Sequence, residues 1–83
     1  MGKIFNRVRR IVSDQLHVPK NKIDMYSYLI HDLGASDCDL IEIYVNIESS
    51  FDTNIPLTLS DEQMTVGHLV ACARNSETRR VSS

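Results

Sequence analysis

The chain has 83 residues, 42% of them hydrophobic and 24% charged, with a formal net charge of −2. A chain this short builds one modest core, which excludes a two-domain enzyme with a cleft between lobes and a large buried active site. Its three Gly and two Pro carry no collagen, linker or low-complexity signal.

The first periodic segment runs from Lys3 to about Leu16. Ile4, Phe5, Val8, Ile11, Val12 and Leu16 share one helical face, with Arg7, Arg9, Arg10 and Asp14 opposite. Pro19 cannot continue a helix and disfavours helical geometry at Val18, so the helix is expected to end before it. Ile23 to Ala35 shows no sustained period. Asp24, Ser27 and Gly34 make it a loop, with Ile23, Tyr28, Leu29 and Leu33 as expected anchors, and loops of this length are more often functional than incidental.

The second helix starts near Ser36 or Asp37, either of which suits an N-cap. Asp39 and Glu42 add negative charge to its first turns. Leu40, Ile43, Tyr44, Ile47 and Phe51 form one stripe that Ile41 and Val45 widen, so the helix is expected to be largely buried. Asp52-Thr53-Asn54 and Pro56 end it. A short third helix is expected near Ser60–Gln63, capped by Ser60, and a fourth from about Thr65 to Arg74. Residues 76–83 lack an apolar period and are expected to form a flexible tail beyond a single domain at 1–75. The sum is an all-α bundle of three main helices plus one short helix, with a long loop between the first and second. Its core is expected to draw on Ile4, Phe5, Val8, Ile11, Leu16, Leu33, Ile41, Val45, Ile47, Phe51, Val66, Leu69 and Val70.

Every Lys and Arg lies in Lys3–Lys22 or Arg74–Arg80, while Asp24, Asp32, Asp37, Asp39, Glu42, Glu48, Asp52, Asp61 and Glu62 occupy the stretch between. An acidic middle argues against a nucleic-acid groove and suits a partner with a basic patch. Charge alone is better met by a solvated face. Cys38 and Cys72 stand without a CxxC or a Cys/His cluster, so neither a zinc site nor a disulfide framework is expected. No signal-peptide segment or membrane-length apolar run appears, and Asn6 stands where a myristoylation motif wants Ser or Thr. A cytoplasmic monomer with reduced thiols is the expectation.

His17, His31 and His68 share no ligand spacing. His31-Asp32 with Ser27 or Ser36 could form a Ser-His-Asp set, but surface or capping histidines explain them better. Asp37, Asp39 and Glu42 lack the Gly turn of a calcium loop, and a helix cap with a solvated edge accounts for them. Cys38 stands at a helix start but has no neighbouring base in sequence. The informative segment is Asp32 to Glu42, where a Gly-bearing loop runs into a helix start beside a hydroxyl, an arrangement able to hold a phosphate.

Four blocks carry a resemblance over nearly the whole chain. They are the Ile4…Val18 opening, Asp32-Leu33-Gly34-Ala35, Phe51-Asp52-Thr53-Asn54-Ile55-Pro56 and Thr65-Val66-Gly67-His68-Leu69. In order and without a gap, they resemble the acyl carrier protein family. That resemblance implies a 4′-phosphopantetheine arm on a serine, carrying an acyl chain as a thioester. It also implies partner enzymes with basic docking patches: synthases, acyltransferases and a phosphopantetheinyl transferase. The second helix would be the recognition element, through Asp37, Asp39, Glu42 and Glu48.

The family motif reads Gly-Ala-Asp-Ser-Leu-Asp, and this chain reads Gly34-Ala35-Ser36-Asp37-Cys38-Asp39. The attachment position therefore holds Asp37, and the nearby hydroxyl, Ser36, is displaced by one. Two classes follow: an acyl carrier with its arm on Ser36, or an unmodified docking or regulatory module in which Asp37 supplies charge that a phosphate would bring. An enzyme in its own right is not expected. The acyl group and pathway, whether fatty acid, polyketide or other, leave no trace in the residues.

Overall fold

The computed structural model describes residues 2–55 and 60–82, with side chains described as far as residue 75. Three helices form the body: α1 (Lys3–Leu16), α2 (Asp37–Phe51) and α3 (Val66–Ser82). Two short 3-10 turns, Lys20–Lys22 and Asp61–Gln63, sit in the connections. Among the described residues there is no strand, only an isolated antiparallel bridge between Tyr28 and Thr65. The all-α bundle expected from periodicity is the fold observed.

The helix ends follow local chemistry. His17 adopts the left-handed conformation (φ 58°) and closes α1 by donating its N–H to Ser13 O at 2.9 Å. The helix thus stops with two residues left before Pro19, which then opens the first 3-10 turn. Asp52, also left-handed (φ 53°), closes α2 by donating to Glu48 O. The third expected helix is the 3-10 turn Asp61–Gln63, and Ser60 precedes it without a side-chain cap bond. Pro56, expected to help end α2, lies outside the described residues.

The last helix runs to Ser82 rather than ending at Arg74. No Pro or Gly interrupts the sequence after Gly67, so nothing breaks the backbone ladder there. The Arg79 and Arg80 side chains lie outside the described set.

The core joins all three helices through Val8 and Val12 of α1, Leu40, Ile43, Ile47 and Phe51 of α2, and Val66, Leu69, Val70 and Ala73 of α3. Ile23, Leu29, Ala35, Ile55 and Met64 plug it from the connections. Ile4, Phe5, Ile11, Leu16 and Leu33 pack against its edge. Two expected core residues are not there: Ile41 is 61% exposed and Val45 52% exposed. With α1 and α3 both on one side of α2, the helix buries a single stripe, and the widening residues face out. Tyr28, expected as an anchor, is exposed as well, since its backbone pairs with Thr65 while Leu29 turns inward.

Candidate functional site

The loop from Ile23 to Ala35 is held by its own side chains. Asp24 Oδ1 accepts from the Tyr26 N–H at 2.8 Å and from the Ser27 hydroxyl at 3.3 Å. Asp32 Oδ2 accepts from the Tyr28 N–H at 2.8 Å. Such aspartate-to-backbone bonds stand in for the missing ladder. The loop is tied to the start of α3 as well: Val66 N–H donates to Ser27 O at 3.0 Å and Gly67 N–H to Met25 O at 2.8 Å. A Cβ at Gly67 would lie 2.8 Å from that same carbonyl, so glycine is what permits the approach.

Gly34, with φ +74°, turns the chain into α2, and buried Ala35 bonds back to Leu29 O at 2.9 Å. Ser36 is then the N-cap. Its Oγ accepts from the Asp39 N–H at 3.2 Å, and Asp39 Oδ2 accepts from the Ser36 N–H at 3.1 Å. This reciprocal pair is a capping box built with Asp in the third position. Asp39 Oδ1 accepts a further bond from Gln15 Nε2 at 3.1 Å, so the end of α1 braces the start of α2. The Ser36 N–H, followed by the Gln15 amide and the Ser36 hydroxyl, holds the Asp39 carboxyl below its ordinary range.

The residues singled out in the sequence thus divide. Ser36 and Asp37 are both exposed at the helix start, Ser36 as the cap and Asp37 as the first helical residue. Asp39 and Glu48 have structural work: Asp39 in the box, and Glu48 through an Oε2 that accepts from Ile55 N–H at 3.1 Å. Asp37 and Glu42 present exposed carboxylates beside exposed Ile41 and Val45. Sequence reading missed that apolar surface because it assigned both residues to the core. The signal available was their spacing of four, alongside Asp37.

The His31 set is not assembled. Ser27 is bonded to Asp24, Asp32 to Tyr28, and His31 packs edge-on to Tyr28 at 6.2 Å between ring centroids. His68 instead bonds Thr65 at the start of α3, its Nδ1 accepting from the Thr65 N–H at 3.1 Å. Cys38 is an exposed free thiol and Cys72 a half-buried one, whose thiol burial pushes up. Among the described residues, no three His, Cys, Asp or Glu side chains are grouped to hold a metal ion. No described helix is long and apolar enough to cross a membrane.

A three-helix bundle, a long self-bonded loop and a boxed helix start bearing an exposed hydroxyl make this a small helical-bundle domain. The chain is 34% identical over 67 residues to the acyl carrier protein of Clostridium acetobutylicum, covering 81% of this chain and 87% of that protein. It is 37% identical over 68 residues to the acyl carrier protein of Borrelia garinii, covering 82% and 85%. The acyl carrier protein of Campylobacter curvus is 33% identical over 67 residues. No family model matches the chain. Identity at this level across most of both partners places the chain in the acyl carrier protein family.

Proposed function

We propose that this protein is a specialised acyl carrier, with a 4′-phosphopantetheine arm joined to the Ser36 hydroxyl and presented to partner enzymes of fatty acid, polyketide or other acyl metabolism. The arm would supply a thiol that carries the acyl chain. The observation that carries the reading is the placement of Ser36, an exposed hydroxyl where the loop meets the N-terminus of α2, the end of a helix that favours a phosphate. Asp37, in the register of the family's attachment serine, has no hydroxyl with which to form the ester.

The exposed face of α2 fits a partner with an apolar centre and a basic rim. Ile41 and Val45 would meet the centre, and Asp37 and Glu42 the rim. Asp39 and Glu48 contribute field there, while both Asp39 oxygens and the Glu48 Oε2 stay committed to the fold.

A second reading is favoured by one specific observation. The Ser36 Oγ is the acceptor of the helix cap, which ties up a lone pair on the atom that would have to attack. In that reading the domain is unmodified and acts as a docking or regulatory module. Incubation with coenzyme A and a phosphopantetheinyl transferase, followed by intact-mass measurement, separates the two. A gain of one phosphopantetheine, lost in Ser36→Ala, supports the carrier. An unchanged mass under conditions that fully label a relative supports the docking module.

A further inference from the structure

We propose that the cationic groove on α1 is a second binding site, for a compact anion carrying adjacent phosphates. Asn6, Arg7, Arg9, Arg10 and Lys20 line a shallow, open concavity of about 440 Å³ where the first 3-10 turn packs beside α1. Among the described residues no acidic side chain lines it; Asp14, one turn beyond Arg10, is the acid nearest to it along α1.

Two of the four cations, Arg7 and Arg9, are held before any ligand arrives. The Arg7 guanidinium lies 5.2 Å over the Phe51 ring, and that of Arg9 lies 5.1 Å over Phe5. Arg9 Nη2 also donates to Asn6 Oδ1 at 3.0 Å, while its Nε is buried with no hydrogen-bond partner among the described residues. Holding the side chains in this way removes part of the ordering cost of binding. Like charges at Arg7 and Arg10, three apart on one helix, oppose each other, and a bound anion relieves that repulsion. Guanidinium forks match phosphate oxygens in pairs.

Size selects among anions. Asn6 to Arg10 covers about 6 Å of helix axis, enough for a diphosphate and short for a track of nucleic-acid phosphates. The groove is distinct from the Ser36 site. Gln15 marks where α1 meets the start of α2, and Arg7 lies about 12 Å back along the helix, against the last residue of α2.

The test is a titration of the full chain with inorganic pyrophosphate at constant ionic strength, followed by calorimetry and amide chemical shifts. Saturable one-to-one binding is expected, with shifts at Asn6, Arg7, Arg10 and Lys20 and weaker binding of orthophosphate. Arg10→Gln with Lys20→Gln should weaken it by about tenfold or more, and both residues are exposed, so the variant's melting curve should match wild type. Vesicles containing phosphatidylinositol 4,5-bisphosphate, whose headgroup carries two adjacent phosphates, form a second arm. Vesicle binding that pyrophosphate displaces assigns the phosphates to a lipid headgroup, and pyrophosphate binding without vesicle binding assigns them to a free ligand. The proposal is overturned by absent or non-saturable pyrophosphate binding, by shifts that survive the double substitution, or by binding of vesicles or RNA that pyrophosphate does not affect.

Discussion

Gln15 Nε2 donates to Asp39 Oδ1 at 3.1 Å, so the last turn of α1 holds the carboxylate that closes the first turn of α2. Because these bonds favour the ionised form, Asp39 takes up a proton less readily folded than unfolded. Its contribution is therefore complete above the unfolded value of 3.8 and is lost as pH falls below that through the folded value. Thermal melts in this acid window should show wild type losing stability more steeply than Asp39→Asn, with Gln15→Leu between them. Parallel curves for all three proteins would remove the brace from the account.

Ser36→Ala should destabilise the fold by about 1 kcal/mol, the usual cost of losing an N-cap acceptor. Exchanging the pair, Ser36→Asp with Asp37→Ser, keeps a good cap and moves the hydroxyl into the family register. One residue turns a helical side chain by about 100°, so the exchanged protein should accept phosphopantetheine faster than the wild type. Time-resolved intact mass measures this. Equal rates would mean that register is not what limits the reaction.

The two sides of α2 should respond oppositely to substitution. Phe51→Ala should cost ~3–5 kcal/mol and Ile43→Ala ~2–5 kcal/mol in denaturant unfolding. Ile41→Gln and Val45→Gln should change stability by no more than about 0.5 kcal/mol. These exposed substitutions, together with Glu42→Lys, should instead weaken partner binding. The charge variant should lose its effect as salt rises, since screening acts over about 8 Å at physiological ionic strength.

Gly67→Ala should destabilise by ~1–3 kcal/mol, because the added methyl meets Met25 O at 2.8 Å and must push the loop off α3. Hydrogen exchange should quicken at Val66 and Gly67, whose N–H groups bond that loop. Unchanged protection there would contradict the close approach.

Tyr44 donates to Asp61 Oδ1 at 3.2 Å, joining α2 to the second 3-10 turn. Burial, with the Asp61 charge beside it, pushes the Tyr44 hydroxyl from 10.0 up to about 12. The folded state thus holds this proton more tightly. The stability it adds is complete below the unfolded value of 10.0 and declines as pH rises toward about 12. Tyr44→Phe should show a smaller alkaline loss than wild type in melts across that range.

The sequence by itself determined the three helices, the start of α2 to within one residue and the family, but not the end of α3. Apolar residues at helical spacing from Ile4 to Leu16 and from Leu40 to Phe51 leave no other regular structure that buries them, and Pro19 and Gly34 punctuate the chain locally. Ser36 as a cap candidate was legible too, because a hydroxyl beside a helix start suits that role. Which side of α2 lies against α1 and α3 was decided only by tertiary packing. An isoleucine at position 41 and one at 43 are alike in sequence, yet one is 61% exposed and the other fully buried. The same holds for the polar groups. Asp39 and Glu48 read as free surface charges until Gln15, from a helix 24 positions away in sequence, and the Ile55 N–H arrive beside them. Local spacing sets what a residue can do within its own helix. Which neighbours claim its atoms depends on segments that meet only when the chain closes its core.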